Sequence, residues 1–143
     1  MGKTWARLSA LALALTPLGA VADEMDLTGK IAVELNTVSD GDSSCTLTFM
    51  VTNGHAAPID KLVFETVLFD AGGAVDRLTL FDFGALPVGR PRVRQFAVPN
   101  LTCGGLGRVL FNGLHTCEAT GLEASACGEG LVPTSRVAIE VLG

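Results

Sequence analysis

Apolar and polar side chains alternate along most of this chain, and that alternation restricts what the chain can fold into. In the segment 31–35 the larger apolar residues fall on odd positions, and from Cys45 to Val51 apolar side chains alternate with threonines. A period of two places alternate side chains on opposite faces of a β-strand, whereas a helix needs a period near 3.6. Because no stretch has convincing helical periodicity, the sequence predicts an all-β protein.

Seven segments carry a strand signal, and Gly, Pro, Asn or Asp residues separate them. The C-terminal segment shows it in Val137, Ile139 and Val141, which alternate with other residues. The remaining four are rich in Val, Leu or Phe and cover 61–70, 75–83, 92–98 and 107–114. Turn signals at 70–73 and 86–89 separate two pairs of them. About seven strands at this spacing predict an immunoglobulin-like antiparallel β-sandwich.

The first 22 residues have the features of an export signal. Lys3 and Arg7 precede an apolar run, and the run ends in the small residues Ala20 and Ala22. A charged start, a short apolar middle and small residues two apart are what signal peptidase recognises. We predict a signal peptide over 1–22, cleavage after Ala22, and a single β-sandwich domain over 23–143. The mature chain is then expected in the periplasm or outside the cell, with no membrane span.

Cysteine usage agrees with that compartment. All four cysteines, Cys45, Cys103, Cys117 and Cys127, lie after the predicted cleavage site. An even number in an exported chain indicates disulfides, and none of the spacings matches the C-x-x-C pairs of zinc sites. Four cysteines allow three pairings. If the strands alternate in direction, Cys45 and Cys103 lie at the same end of the sandwich, which favours that pair and leaves Cys117 to close a loop with Cys127.

The charge balance excludes one class of partner. The formal net charge is −5, and it becomes more negative once the signal peptide with Lys3 and Arg7 is removed. Nucleic-acid binding depends on clustered positive charge that neutralises phosphates. No nucleic acid is therefore expected as a partner.

Part of the chain resembles a known family. The elements are Asn53 after one strand, an aromatic-Asp strand end with a Gly turn at 69–73, Leu-x-x-Gly at 86–89, and Phe96 in the following strand. This pattern resembles the FxLYD-type immunoglobulin-like modules of bacterial envelope proteins. That family often has Tyr-Asp where this chain has Phe69-Asp70, and it requires no cysteines. The whole chain is also similar to a group of small exported bacterial proteins. The resemblance implies a binding or spacer domain, by fold analogy alone.

Catalytic chemistry is hard to find in the sequence. Only His55 and His115 can act as bases at neutral pH, each in or beside a predicted loop, and no G-x-S-x-G motif is present. We therefore expect no enzyme activity and no cofactor. The third alternative is an enzyme whose type the sequence does not reveal.

Asp40 and Asp42 offer oxygen ligands of the kind that calcium binds, but the loop lacks the third acid and distal glutamate of an EF-hand. A solvated hairpin turn is the favoured interpretation, and a small-ligand or calcium-binding domain is the second alternative.

The third and fourth predicted strands are apolar on both faces. Leu62, Phe64 and Leu68 alternate with Val63, Val67 and Phe69, and the next strand carries Leu78, Leu80, Phe81 and Phe83. Since one side of each sheet in a sandwich faces outward, something must cover the second apolar side. The loop 117–127, a second copy of the chain and a partner molecule are the alternatives.

These features lead to a predicted binding surface on a non-catalytic interaction module of the envelope. Its partner is a protein or an envelope polymer, or a second copy of the chain in a homodimer. Arg92 and Arg94 share a strand face at the rim, where they bind a carboxylate or phosphate or else neutralise Glu65, Asp76 or Asp82. The predicted binding residues are Phe64, Leu78, Leu80, Phe81, Phe83, Arg92 and Arg94.

Overall fold

The computed structural model describes residues 24–143, together with Gly2 and Gly19. The predicted cleavage site after Ala22, and the rest of the predicted signal peptide, lie outside the described residues. Within 24–143 the chain forms eight strands. They are β1 (Ile31–Asp40), β2 (Ser44–Asn53), β3 (Ile59–Asp70), β4 (Val75–Leu86), β5 (Arg92–Pro99), β6 (Leu106–Glu118), β7 (Leu131–Ser135) and β8 (Glu140–Leu142). A 3-10 turn (Cys103–Gly105) precedes β6, and a four-residue helix α1 (Ala126–Glu129) precedes β7.

The strands form two four-stranded sheets that pack face to face. Sheet I has the order β5-β2-β1-β7, and sheet II has the order β4-β3-β6-β8. This confirms the predicted all-β sandwich with two disulfides, with one more strand than the seven expected. Two neighbours differ from the antiparallel prediction, because β7 runs parallel to β1 and β8 runs parallel to β6.

The predicted alternation sets which side chains fill the space between the sheets. Ile31, Val33 and Leu35 of β1 are fully buried, and so are Leu47 and Phe49 of β2. Phe49 lies at the centre of an aromatic cluster, with ring centroids 5.9–6.0 Å from those of four other phenylalanines. Aromatic rings at such distances and tilts pack favourably beyond the area that they bury. The interior is therefore built from phenylalanine and aliphatic residues, as the strand pattern requires.

Both predicted disulfides are present. Cys45 at the start of β2 bonds Cys103 just before β6, and Cys117 at the end of β6 bonds Cys127 in α1. The first disulfide joins β2 of sheet I to the turn that precedes β6 of sheet II, and the second closes the loop between β6 and α1. Two disulfides are typical of proteins that fold in an oxidising compartment such as the periplasm or the extracellular space.

The C-terminal segment departs most from the prediction. Val137 and Ile139 pack against the core as expected, but the hydrogen-bonded strand there is only the three residues of β8. The strand β7 was not predicted, and Pro133 within it is a residue that sheets accept mainly in edge strands. It is an edge strand paired on one side with β1, where the missing N–H of a proline is tolerated.

Candidate functional site

The outer side of sheet II carries an apolar band. Leu142 of β8, Leu110 of β6, Val67 of β3 and Leu78 of β4 are register partners across all four strands. Val63 of β3 and Leu80 of β4 lie on the same side of the sheet, where their register partners are Asp82 and Glu65. We call this surface the leucine face; its residues are Val63, Val67, Leu78, Leu80, Leu110 and Leu142.

Exposure across the leucine face is uneven. Val67 at its centre is 7% exposed, because neighbouring side chains on both sides shield it. Leu78 and Leu80 on the edge strand β4 are 63% and 50% exposed, and Leu142 at the opposite edge is 37% exposed. An apolar surface that runs across a whole sheet and stays in contact with water is a feature of interaction sites.

Charged groups lie on and beside this surface and are paired within the chain. Arg108 donates to Glu140 at 2.8 Å, and its guanidinium carbon lies 5.9 Å from the ring centre of Phe69. Glu65 accepts a hydrogen bond from Asn112 at 2.7 Å. Glu65 lies between Val63 and Val67 on β3 and is the register partner of Leu80, so the Glu65–Asn112 pair lies within the face. The continuous apolar part is the row from Leu142 to Leu78, and polar groups flank it, as they flank the apolar centre of protein interfaces.

The loop between Cys117 and Cys127 does not cover β4. Ala119 and Leu122 of this loop pack against the interior cluster, and Leu78 and Leu80 stay exposed. The disulfide-closed loop therefore closes part of the core, and it leaves the β4 side of the leucine face open.

Three of the predicted binding residues lie elsewhere than expected. Phe64, Phe81 and Phe83 are 2%, 3% and 0% exposed and belong to the core cluster. Strand alternation explains this difference, because Phe81 and Phe83 have the opposite parity to Leu78 and Leu80 and so face inward. The expected surface is corrected accordingly: Leu78 and Leu80 are accessible, and the phenylalanines support them from beneath.

Arg94 has a different role from the one predicted. Its Nε donates to the carbonyl of Phe83 at 2.7 Å, and its Nη2 donates to the carbonyl of Ala85 at 2.9 Å. Arg92 donates only to the carbonyl of the adjacent Pro91. Neither arginine pairs with Glu65, Asp76 or Asp82 in the described residues. Arg94 therefore ties β5 to the edge of β4, so that the two sheets are joined along one side.

Asp40 ends β1, and Asp42 lies in the turn between β1 and β2. Together with Ser43, Ser44, Asn100 and Thr102 they line an open cavity of ≈310 Å³. The carboxylate of Asp40 already accepts the backbone N–H of Cys103 at 2.7 Å. In residues 24–143 no group of three or more His, Cys, Asp or Glu side chains is arranged to hold a metal ion.

The two histidines differ in their exposure to solvent. His55 is 5% exposed, and its Nε2 is inaccessible to water and has no hydrogen-bond partner among the described residues. Its backbone N–H is held by the side chain of Asn53 at 2.9 Å, and that side chain also donates to Ala57 and Leu86. His115 is exposed and contacts the hydroxyl of Thr116. Before β1, hydrogen bonds from the side chain and backbone of Thr28 lower the pKa of the exposed Asp26.

Leu110 and Leu142 are functional candidates that the sequence interpretation missed. Each follows a core residue directly, in the runs 109–111 and 141–142. Consecutive apolar residues in a strand must point to opposite faces, so these runs signal an apolar outer face.

Among the described residues, no helix is long and apolar enough to cross a membrane. No family model matches the chain, and no curated protein matches it. Among solved structures, IrmA from Escherichia coli is similar at 13% sequence identity with a TM-score of 0.47, over 73% of this chain and 90% of that one. Similarity at this level carries no argument about the present chain. The resemblance to FxLYD-type modules stays a prediction.

Proposed function

We propose that this protein is an exported, non-catalytic interaction module of the bacterial envelope that binds a protein partner through the leucine face. The observation that supports it most directly is the apolar row of Leu142, Leu110, Val67 and Leu78, in register across the four strands of sheet II. The outer side of a sheet that contacts only water is expected to carry polar side chains. The row has no such residue.

The chemistry of the face defines the partner. Burial of apolar surface contributes roughly 25 cal/mol for each Å² removed from water, so a partner gains most by covering the exposed leucines of β4 and Leu142 of β8. The Arg108–Glu140 pair at one border offers hydrogen-bonding groups to polar side chains at the partner's rim. A folded protein with an apolar patch and a polar margin fits this surface.

Export supports the same proposal. The N-terminal segment 1–22 has the pattern of a cleaved signal, and both disulfides suit an oxidising compartment. Mass measurement of the protein from its native host should give a chain that begins at Asp23. A product that retains residues 1–22 would contradict cleavage after Ala22.

The placement of the histidines supports a non-catalytic role. A general base must reach the proton that it removes. The Nε2 of His55 is closed to solvent, and His115 lies on the exposed end of β6 beside Thr116.

Site-specific photo-crosslinking in cells that export the protein tests the proposed surface. A photoreactive residue at Leu78 and one at Leu142 should give an adduct with the same protein. The matched control is Val93, which is 61% exposed but lies on the outer side of sheet I. With the purified partner, Leu142→Glu should weaken binding at least tenfold, a loss of about 1.4 kcal/mol, and Val93→Glu should leave it unchanged. Equal adducts from all three positions, or none, would overturn the proposal.

A small-ligand or calcium site at the cavity beside Asp40 and Asp42 is the second candidate function. Its support is the cavity of ≈310 Å³ lined by two carboxylates and three hydroxyl side chains. Calorimetric titration with millimolar calcium should give heat that Asp42→Asn removes. A flat titration would exclude the calcium version.

A further inference from the structure

The sandwich has four edge strands, and three of them carry features that discourage another strand from pairing. β7 is five residues long and contains Pro133, and β8 has only three residues. β5 carries Arg92 and Arg94 and ends at Pro99. Short length, proline and cationic side chains are devices that protect sheet edges from pairing with other chains.

β4 differs from the other edges. It has twelve residues, contains neither proline nor lysine, and pairs only with β3. Its C-terminal part is protected, since Gly84 has φ +66° beside a register shift and Arg94 occupies the carbonyls of Phe83 and Ala85. At its other end Arg77 reaches across to the carbonyl of Pro99 at 2.6 Å.

The section between these two arginine contacts, 78–82, is open. Among the described residues its backbone hydrogen bonds run only to β3, and its free edge faces a cleft of ≈380 Å³ between β4 and β5. Leu78 and Leu80 of this section are the most exposed leucines of sheet II. An edge of this kind is a template for a further strand.

We infer that β4 pairs antiparallel with β4 of a second copy of this chain, about a two-fold axis that passes beside Thr79. The inference goes beyond the proposed function, because it concerns the strand edge rather than the partner of the leucine face. Closed two-fold pairing is the commonest symmetry of soluble oligomers.

The side chains of β4 select this register. With Thr79 opposite Thr79 of the second copy, Leu78 lies opposite Leu80 of the second copy and Leu80 opposite Leu78. An axis beside Leu78 would instead place Leu80 opposite Asp76, and an axis beside Leu80 would place Leu78 opposite Asp82. Apolar pairs and threonine pairs directly across two antiparallel strands are stabilising. Only the register centred on Thr79 provides both.

The charges of β4 tolerate this arrangement. The same register brings Asp76 opposite Asp82 of the second copy, and like charges directly opposite are unfavourable. Each carboxylate already has a basic partner in its own chain, Arg77 at 2.6 Å for Asp76 and Lys61 at 4.0 Å for Asp82. The pairing then extends the leucine faces of two copies into one continuous surface.

A single cysteine tests the axis. All four native cysteines are in disulfides, so Thr79→Cys adds the only free thiol in the described residues. Opposite residues in antiparallel strands have Cα atoms about 4.5–5.5 Å apart, within the range that a disulfide spans. Under mild oxidation we expect Thr79→Cys to form a covalent dimer. Val93→Cys, on the protected edge strand β5, is the matched control and should remain monomeric.

Sedimentation of the unmodified protein provides a second measurement. We expect a concentration-dependent dimer, and Leu80→Lys should shift it to monomer, because a lysine on an edge opposes pairing. Far-ultraviolet dichroism of each variant establishes that it is folded. A mixture of Leu78→Cys and Leu80→Cys chains should cross-link faster than either variant alone.

A protein that stays monomeric at every concentration, with a Thr79→Cys thiol that reacts freely but does not cross-link, would overturn the inference. Equal cross-linking of Thr79→Cys and Val93→Cys would do so as well. Leu142→Glu separates this inference from the proposed function, since it lies on the opposite edge of sheet II and should leave the Thr79→Cys cross-link intact. Photo-adducts from Leu142 without any dimer would leave the proposed function standing alone.

Discussion

The two outer faces of the sandwich have the same backbone architecture and opposite chemistry. On sheet I the outward side chains include Thr46, Thr48 and Thr52 of β2, and Gln95 of β5 donates to the hydroxyl of Thr48 at 3.0 Å. We call this the threonine face. On sheet II the corresponding positions include the valines and leucines of the leucine face, with Glu65 among them. The apolar residues on this side of sheet I include the cross-strand pairs Met50–Val93 and Ala32–Val132.

The difference shows that the apolar character of the leucine face is not a requirement of the fold. Both sheets use the same core, and the threonine face demonstrates that this sandwich accepts hydrogen-bonding side chains on its exterior. A sandwich needs only one apolar side on each sheet, the side that faces the core, but sheet II also has apolar residues on its outer side. The extra apolar side is therefore what leads us to propose an interaction surface there.

The largest expected effect on the free energy of unfolding distinguishes the inner side of sheet II from its outer side. Phe64→Ala should lower the free energy of unfolding by about 3–5 kcal/mol, because it opens a cavity beneath the leucine face. The control Leu80→Ala, on the adjacent strand but exposed, should change it by less than about 0.5 kcal/mol. Urea unfolding followed by circular dichroism measures both, and equal losses would show that Leu80 is part of the core.

Substitutions that exchange side-chain types between the two faces should have an intermediate effect on the free energy of unfolding. Val67→Thr places a hydroxyl at a position that is 7% exposed, and we expect a loss of about 1–3 kcal/mol. Thr48→Val on the threonine face should stay within about 0.5 kcal/mol. If both exchanges prove neutral in thermal unfolding, the two faces do not differ in how they are packed.

The ion pair on the border of the leucine face should contribute less. Arg108 and Glu140 have side chains that are 45% and 53% exposed, so water and salt screen their attraction. Glu140→Gln is expected to cost at most about 1 kcal/mol. The loss should vanish in 1 M salt, where the screening length falls to about 3 Å. A loss that persists at high salt would indicate a role other than charge pairing.

The smallest effect is expected where the proposed partner would bind. Leu78→Thr makes the β4 edge resemble the threonine face, and at 63% exposure it should alter the unfolding free energy by less than about 0.5 kcal/mol. Binding to the partner should fall even though stability does not. A variant that unfolds readily would show that Leu78 is needed for the fold itself.

Much of the fold is predictable because its signals are local. The odd positions of 31–35 and of 45–51 face the core as their alternation indicates, and the turn at 70–73 forms with Gly73 at φ +88°. The disulfide pairing followed from strand direction. What the alternation does not contain is the identity of neighbouring strands, and the parallel pairing of β7 and β8 depends on contacts between residues far apart in the chain.

The candidate site was less predictable, for a physical reason. A strand that is apolar on both sides, such as 62–69, shows that two faces exist but not which one points inward. In β4 the inward side chains depend on whether the odd or the even positions face the core. The register shifts between β3 and β4 mean that the pattern of β3 does not determine this for β4. Arg94 was misassigned because its partners are backbone carbonyls, and no residue type in the sequence marks those.

The parallel pairs at the C-terminal end have a consequence for how the protein folds. Ile31 in the first strand lies opposite Leu131 in β7, and β8, which completes the other sheet, begins only at Glu140. Chains whose partners are so distant in sequence fold slowly, in milliseconds to seconds. Until Leu131 and the residues after it are in place, the side of β1 that β7 covers is therefore an unpaired strand edge, available to any other extended chain.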